Sequence, residues 1–160
     1  MFTSKIRTAL AVAAAAIAVM SVGASAAPAD AASLTAKLSI AKNQTSYSSV
    51  YVTGLIKGTP TEIQKFVDKD YRVVWRLWGD DLFSDDFIHG PDPASITRTA
   101  QGLEFKGLAV MKTSKLNEDW GVDEIYAGVR LVTTTSYANG KISHGPTIVG
   151  AESNQIWRSF

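Results

Sequence analysis

The chain has 160 residues, with 16 Lys and Arg, 15 Asp and Glu, two His and no Cys. This composition excludes a disulfide-stapled mini-domain, a thiol enzyme and a zinc site built from cysteines. A nearly neutral charge without a basic stripe also argues against nucleic acid as a partner.

Residues 1–26 have the layout of a secretory signal peptide. Lys5 and Arg7 precede an uncharged, alanine-rich run, and the small residues Ala24-Ser25-Ala26 follow it. The run is too short and too rich in alanine to be a good membrane span. Because this segment carries two cations and no acid, its removal leaves 14 cations and 15 acids, a net charge of −1. We predict a secreted, extracellular protein of bacterial type, cleaved between residues 26 and 32, with attachment to the envelope left open.

The pattern after the leader begins with two strands. Ser33 to Lys42 alternates strictly between apolar and polar residues, which is typical of a half-buried strand. Residues 50–56 are rich in Val, Tyr, Thr and Ile and predict a second strand, in which Gly54 indicates a bulge or a close backbone neighbour. Residues 61–67 predict one helical turn or an irregular connection.

Residues 71–78 give the strongest strand signal of the chain. Trp75 lies on its apolar face and is predicted to be in the core. Trp78 lies on the opposite face together with Arg72 and Arg76, so this second face is expected to meet solvent.

The second half of the chain predicts further short strands separated by turn residues. Gly90-Pro91-Asp92-Pro93 and Gly145-Pro146 are interpreted as turns. Asn139-Gly140 is a strong hairpin signal, because both central positions of a type I′ turn need positive φ. Ile156 and Trp157 are expected to close the sheet or cover its end. The predicted strands are residues 83–88, 96–100, 103–112, 123–135 and 142–149.

Seven to nine short strands without a long helix predict an all-β fold. The favoured architecture is one antiparallel β-sandwich that occupies residues 27–160. A small closed β-barrel is the alternative.

The charges of the chain are unevenly placed. No Lys or Arg lies between Arg76 and Arg98 or between Lys115 and Arg130, and these two windows hold nine of the 15 acids. Like charges at this density repel one another unless solvent or a cation screens them. Calcium accepts six to eight oxygen ligands from irregular loops, so it is the predicted cofactor. The predicted metal ligands are Asp80, Asp81, Asp85, Asp86, Asp119 and Asp123.

Two loop tryptophans suggest a different ligand. Trp78 and Trp120 flank or enter the acidic windows, and Asn117 lies near the second. An exposed indole can stack on a sugar while nearby carboxylates and amides bind its hydroxyl groups. These three residues are therefore the candidate ligand-binding set of a carbohydrate-binding or cell-wall-binding module. Ordinary solvated acidic loops and tryptophans folded over a sheet edge are the simpler interpretation of the same residues.

The sequence thus predicts a secreted, non-enzymatic binding or structural module with calcium in its acidic loops. Its partner would be an extracellular protein or a glycan, with no nucleic acid and no membrane span. The first alternative is the carbohydrate-binding module. The second is a small secreted hydrolase, since paired carboxylates can hydrolyse glycosides. No serine elbow, HExxH sequence or phosphate-binding loop is present, so no catalytic residue is predicted.

Overall fold

A computed structural model describes residues 31–43, 46–80, 85–117 and 122–160. The predicted leader lies outside these residues. The described residues form nine strands, one α-helix and a short 3-10 helix at Thr113–Lys115. In chain order the elements are β1 (Ser33–Lys42), β2 (Tyr47–Lys57), α1 (Pro60–Asp68), β3 (Arg72–Gly79), β4 (Asp86–Pro93), β5 (Ser95–Thr99), β6 (Gly102–Lys112), β7 (Asp123–Ser136), β8 (Ile142–Glu152) and β9 (Ile156–Arg158).

The strands form two antiparallel sheets packed face to face. The first sheet has the order β1-β2-β6-β5, and the second has the order β4-β3-β7-β8, with β9 also paired to β7. The β-sandwich prediction is confirmed, and the described strands do not close into a barrel. Nine strands is the upper end of the predicted number.

The core lies between the inner faces of the two sheets. Trp75 on β3 is its largest fully buried side chain, with 1% of its surface exposed, as its place on the apolar face predicted. Val129 on β7 is the cross-strand partner of Trp75. Val50 and Val52 on β2 are among the core residues that the first sheet contributes. The full exclusion of these side chains from water is the main favourable term for such a fold.

The two sides of the sandwich are closed in different ways. On one side, the Asn154 amide replaces a neighbouring strand for β1: its Oδ1 accepts from the Leu38 N–H at 3.0 Å, and its Nδ2 donates to the Leu38 carbonyl at 3.3 Å. On the other side, Ala94 carries the chain from β4 to β5, and its N–H donates to the Val73 carbonyl at 2.9 Å.

The helix α1 is longer than the single turn that the sequence predicted. Thr59 is its N-cap: the hydroxyl accepts from the Glu62 N–H, and the Glu62 carboxylate accepts from the Thr59 N–H at 2.8 Å. This capping box satisfies donors that the first turn leaves open, and Pro60 suits the first helical position. Ile63 and Phe66 are buried in the core and hold the helix against it.

The two Gly-Pro pairs predicted as turns lie inside strands, so that prediction was wrong. Gly90-Pro91 is in β4, where a shift of the pairing register places both residues opposite Arg76. Gly145-Pro146 is in β8, where a similar shift places both opposite Thr133. Proline lacks an N–H, so it is tolerated in edge strands and bulges, and bulged edges also discourage pairing with other chains.

Gly107 is required by the packing of Trp75, and its replacement tests that packing. A Cβ at position 107 would overlap the Trp75 indole nitrogen. We expect Gly107→Ala to lower the free energy of unfolding by about 1–3 kcal/mol, because the core is overpacked. Urea denaturation measures the change. Leu108→Ala is the control, because this neighbour is exposed and should change stability by about 0.5 kcal/mol or less. Wild-type stability for Gly107→Ala would contradict the packing described.

The capping box of α1 predicts a stability change that depends on pH. Thr59→Ala should lower the free energy of unfolding by about 1 kcal/mol, whereas Thr61→Ala, an exposed control in the first turn, should change it little.

Hydrogen bonds from the Thr59 backbone and hydroxyl hold the pKa of Glu62 below its ordinary value of 4.5. The stabilisation from Glu62 is therefore present above pH 4.5 and lost as the pH falls through the lowered pKa. Glu62→Gln should destabilise at neutral pH and converge on wild type in acid; a constant difference would contradict this.

Candidate functional site

The described parts of the two acidic regions meet at one end of the second sheet. β3 ends at Gly79 and β7 begins at Asp123, and the two strands are antiparallel neighbours. The Asp80 N–H donates to the Glu124 carbonyl at 2.7 Å, which extends the pairing beyond the last residue of β3. The backbone thus brings together two regions that are about 40 residues apart in the chain.

The carboxylates at this end are divided between the two faces of the sheet. Asp123 points toward the core and is only 4% exposed. On the outer side, the Asp80 carboxylate accepts from the Gln155 amide, and the Asp85 carboxylate accepts from the Tyr126 hydroxyl at 2.7 Å. Strand alternation therefore separates Asp123 from the other two.

The remaining predicted ligands are dispersed or lie outside the described residues. Asp86 is exposed at the start of β4. Asn117 is exposed and follows the 3-10 helix after β6, which belongs to the first sheet. Trp78, in contrast, lies on the second sheet. Within the described ranges, no three His, Cys, Asp or Glu side chains are grouped so that they could hold a metal. Asp81, Asp119 and Trp120 fall outside those ranges, so calcium remains a prediction.

The outer face of the second sheet carries an elongated groove, which we call the sheet groove. Two contiguous cavities of about 490 and 200 Å³ form it, and both are bordered by Trp78, Gly128, Arg130 and Thr147. At one end the lining is acidic and aromatic, with Asp85, Tyr126 and Glu152. The second cavity is also lined by Arg76, Pro91 and His144. Arg76 on β3 and Glu152 on β8 both pair with Gly128, so they stand at the same level on opposite sides of β7.

Glycines make this face concave. Gly128 on β7 and Gly150 on β8 line the groove and present no side chain to it. The Trp78 indole nitrogen lies 3.3 Å from the place where a Cβ of Gly128 would stand. The indole therefore lies over Gly128, and a larger residue at position 128 would displace it.

An aromatic row crosses the sheet at the acidic end of the groove. Phe87 on β4 pairs with Trp78 on β3, and Trp78 pairs with Tyr126 on β7, so the three side chains stand side by side. The Trp78 and Phe87 rings pack edge to face with their centroids 5.4 Å apart. Trp157 on β9, 64% exposed, pairs with Glu124 one step further along the same face. Phe87 is also 52% exposed, so the row offers aromatic surface to a ligand.

Hydrogen bonds orient the acids beside this row. Burial raises the pKa of Tyr126 well above its ordinary value, and its hydrogen bond to Asp85 raises it further. Tyr126 therefore remains a hydroxyl donor at physiological pH and fixes one oxygen of Asp85. Within the described residues the other oxygen of Asp85 has no hydrogen bond, so it can accept from a ligand.

Sequence reasoning identified Trp78 but missed most of the groove. Ile125, Ala127 and Val129 alternate along β7 and face the core, so the same alternation could have assigned Tyr126, Gly128 and Arg130 to the outer face. Glu152 was missed because the strand predicted at residues 142–149 is three residues longer in the structure.

Comparison with known proteins adds no assignment. No protein-family model, curated protein or solved structure matches the chain. No helix among the described residues is both long enough and apolar enough to cross a membrane. The chemistry of the groove is therefore the basis for a functional proposal.

The calcium hypothesis predicts a thermal shift. If the acidic loops bind calcium, adding it after chelation should raise the thermal midpoint, because a ligand at 100 times its Kd stabilises by about 2.7 kcal/mol. Asp80→Asn and Asp119→Asn should reduce the rise, while Asp68→Asn on α1 should leave it intact. Differential scanning fluorimetry, with magnesium as a second control, measures the effect. A midpoint that does not respond to calcium would contradict the hypothesis.

Proposed function

We propose that this protein is a secreted, non-enzymatic binding module that holds a glycan in the sheet groove. The observation that carries the proposal is the aromatic row of Phe87, Trp78 and Tyr126 beside oriented carboxylates. A sugar ring presents apolar C–H groups on its faces and hydroxyl groups around its rim. Aromatic side chains suit the faces, and carboxylates such as Asp85 suit the rim.

The shape of the groove suits an extended chain of sugars. It follows β7 from Tyr126 to Val132, a span of six residues or about 20 Å at the rise of a β-strand. The groove is open along its length, so a polymer could lie in it without having a chain end in the site. The predicted secretory leader would bring the module to extracellular or cell-surface glycans.

Two carboxylates of the groove bear on the hydrolase alternative. A glycosidase needs two carboxyl groups that flank the scissile bond. Asp85 and Glu152 both line the same end of the groove, beside Tyr126. The hydrolase alternative would require the release of sugar products, which chromatography of an incubated glycan detects.

Removing a residue of the aromatic row should weaken glycan binding. We expect Trp78→Ala and Tyr126→Ala each to weaken binding about tenfold or more, equivalent to about 1.4 kcal/mol or more, because the stacking surface is lost. Affinity electrophoresis against a panel of soluble polysaccharides finds the ligand, and calorimetry measures its affinity. Tyr137→Ala is the matched control, because Tyr137 is an exposed tyrosine beside the β7–β8 turn.

A second variant separates loss of the groove from loss of an aromatic ring. Gly128→Val keeps every aromatic residue but places a side chain on the groove floor against the Trp78 indole. It should also weaken binding, while circular dichroism reports an intact sandwich. Full affinity in both Trp78→Ala and Gly128→Val would exclude the groove as the glycan site.

A further inference from the structure

We propose that the glycan in the sheet groove is acidic, and that Arg76 and Arg130 bind a carboxylate of one of its sugars. This inference rests on the proposed function and specifies its ligand class. In this arrangement an uncharged sugar lies on the aromatic row, and a uronic acid, or a sugar of the same charge and shape, lies further along the groove.

The two arginines are neighbours on the outer face. Arg76 on β3 pairs with Gly128 on β7, and Arg130 follows two residues later on the same face. Diagonal neighbours of this kind lie about 7–8 Å apart in an antiparallel pair, which is within reach of long side chains. Gly128, the cross-strand partner of Arg76, has no side chain that could stand between the Arg76 and Arg130 side chains.

One carboxylate, that of Glu152, stands near the two arginines: Glu152 pairs with Gly128 and is a diagonal neighbour of Arg130. Within the described residues, neither Arg76 nor Arg130 has a side-chain hydrogen bond or an ion pair. Arginine keeps its charge at any physiological pH, so two like charges stand together at the groove. An anion between them would relieve their repulsion, and the planar guanidinium matches a carboxylate with two parallel hydrogen bonds.

Glycines in the two edge strands support the arginine stems. The Arg76 Cγ lies 3.3 Å from the place of a Gly90 Cβ, at the bulge of β4. The Arg130 Cγ lies 3.6 Å from the place of a Gly150 Cβ on β8. Each stem therefore packs over a glycine of the adjacent strand, which restricts its motion and reduces the entropy lost when the guanidinium binds.

The acidic end of the groove limits the spacing of charge on the ligand. Asp80 and Asp85 lie near Tyr126, four residues or about 13 Å along β7 from Arg130. A polymer with a carboxylate on every sugar would place anions against these aspartates. A glycan in which uncharged sugars separate the acidic ones fits both ends.

Three soluble ligands test this charge pattern. They are an oligosaccharide in which a uronic acid alternates with an uncharged hexose, its carboxyl-reduced form, and an oligomer of uronic acid alone. We expect calorimetry to show that the alternating acid binds about tenfold or more tightly than its reduced form. That preference should shrink as salt is added, because salt screens the exposed charges. The all-uronic oligomer should bind more weakly than the alternating one.

Variants assign the preference to the arginines. Arg76→Gln and Arg130→Gln should each bind the acidic form no more tightly than the same variant binds the reduced form. Arg130→Lys should retain part of the preference, because the charge remains while the planar fork is lost. Arg98→Gln, on the first sheet, should behave as wild type. Thermal midpoints confirm that each variant is folded.

The outcomes separate this inference from the function on which it depends. If the wild type binds the acidic and reduced forms equally, the acidic ligand is overturned and glycan binding stands. If both arginine variants keep the preference, the assignment to Arg76 and Arg130 is overturned. If the wild type binds none of these ligands and no glycan of the wider panel, the proposed function itself fails.

Discussion

The pairing of β3 with β7 is the constraint on which both the core and the groove depend. Its register sets Trp75 opposite Val129 on the inner face and Trp78 opposite Tyr126 on the outer face. Because side chains alternate along a strand, a slip of one residue would carry the core residues to solvent and the groove residues into the core. The large apolar area buried on the inner face opposes such a slip. The packing of the core thereby also fixes the positions of the outer side chains.

The groove sacrifices some local stability for its shape. Glycine in a strand interior weakens the strand, and two neighbouring arginines that have no ion pair among the described residues repel each other. Gly128 and Arg130 are both on β7, whose inner residues are almost completely buried. A strand anchored so firmly on one face can tolerate unfavourable residues on the other. This division explains how the same sequence supplies a well-packed sandwich and an open, charged surface.

Local signals in the sequence predicted the strands well, and non-local pairing accounts for what they missed. β1 has the predicted bounds, because strict alternation is a property of neighbouring residues. The capping box at Thr59 was also local, but it was overlooked, so α1 was predicted too short. The aromatic row could not be derived in this way, because β4, β5 and β6 separate β3 from β7 in the sequence although the two strands are neighbours in the sheet. The sequence predicted Trp78 as a site residue but placed the other site residues in loops. In the structure, the pairing register of β3 and β7 brings Tyr126 and Arg130 next to Trp78.

The uneven charge of the sequence acquires a different meaning on the folded surface. As a linear pattern, the windows without cations suggested a metal in the acidic loops. In the sheet, Asp80 and Asp85 of the first window lie at the acidic end of the groove, and two of the four residues that bound the windows, Arg76 and Arg130, come together as diagonal neighbours. The same pattern thus separates a pair of arginines from a group of aspartates along one surface. Such a surface selects ligands by the spacing of their charges as well as by their sign, because an anion is attracted at one end and repelled at the other.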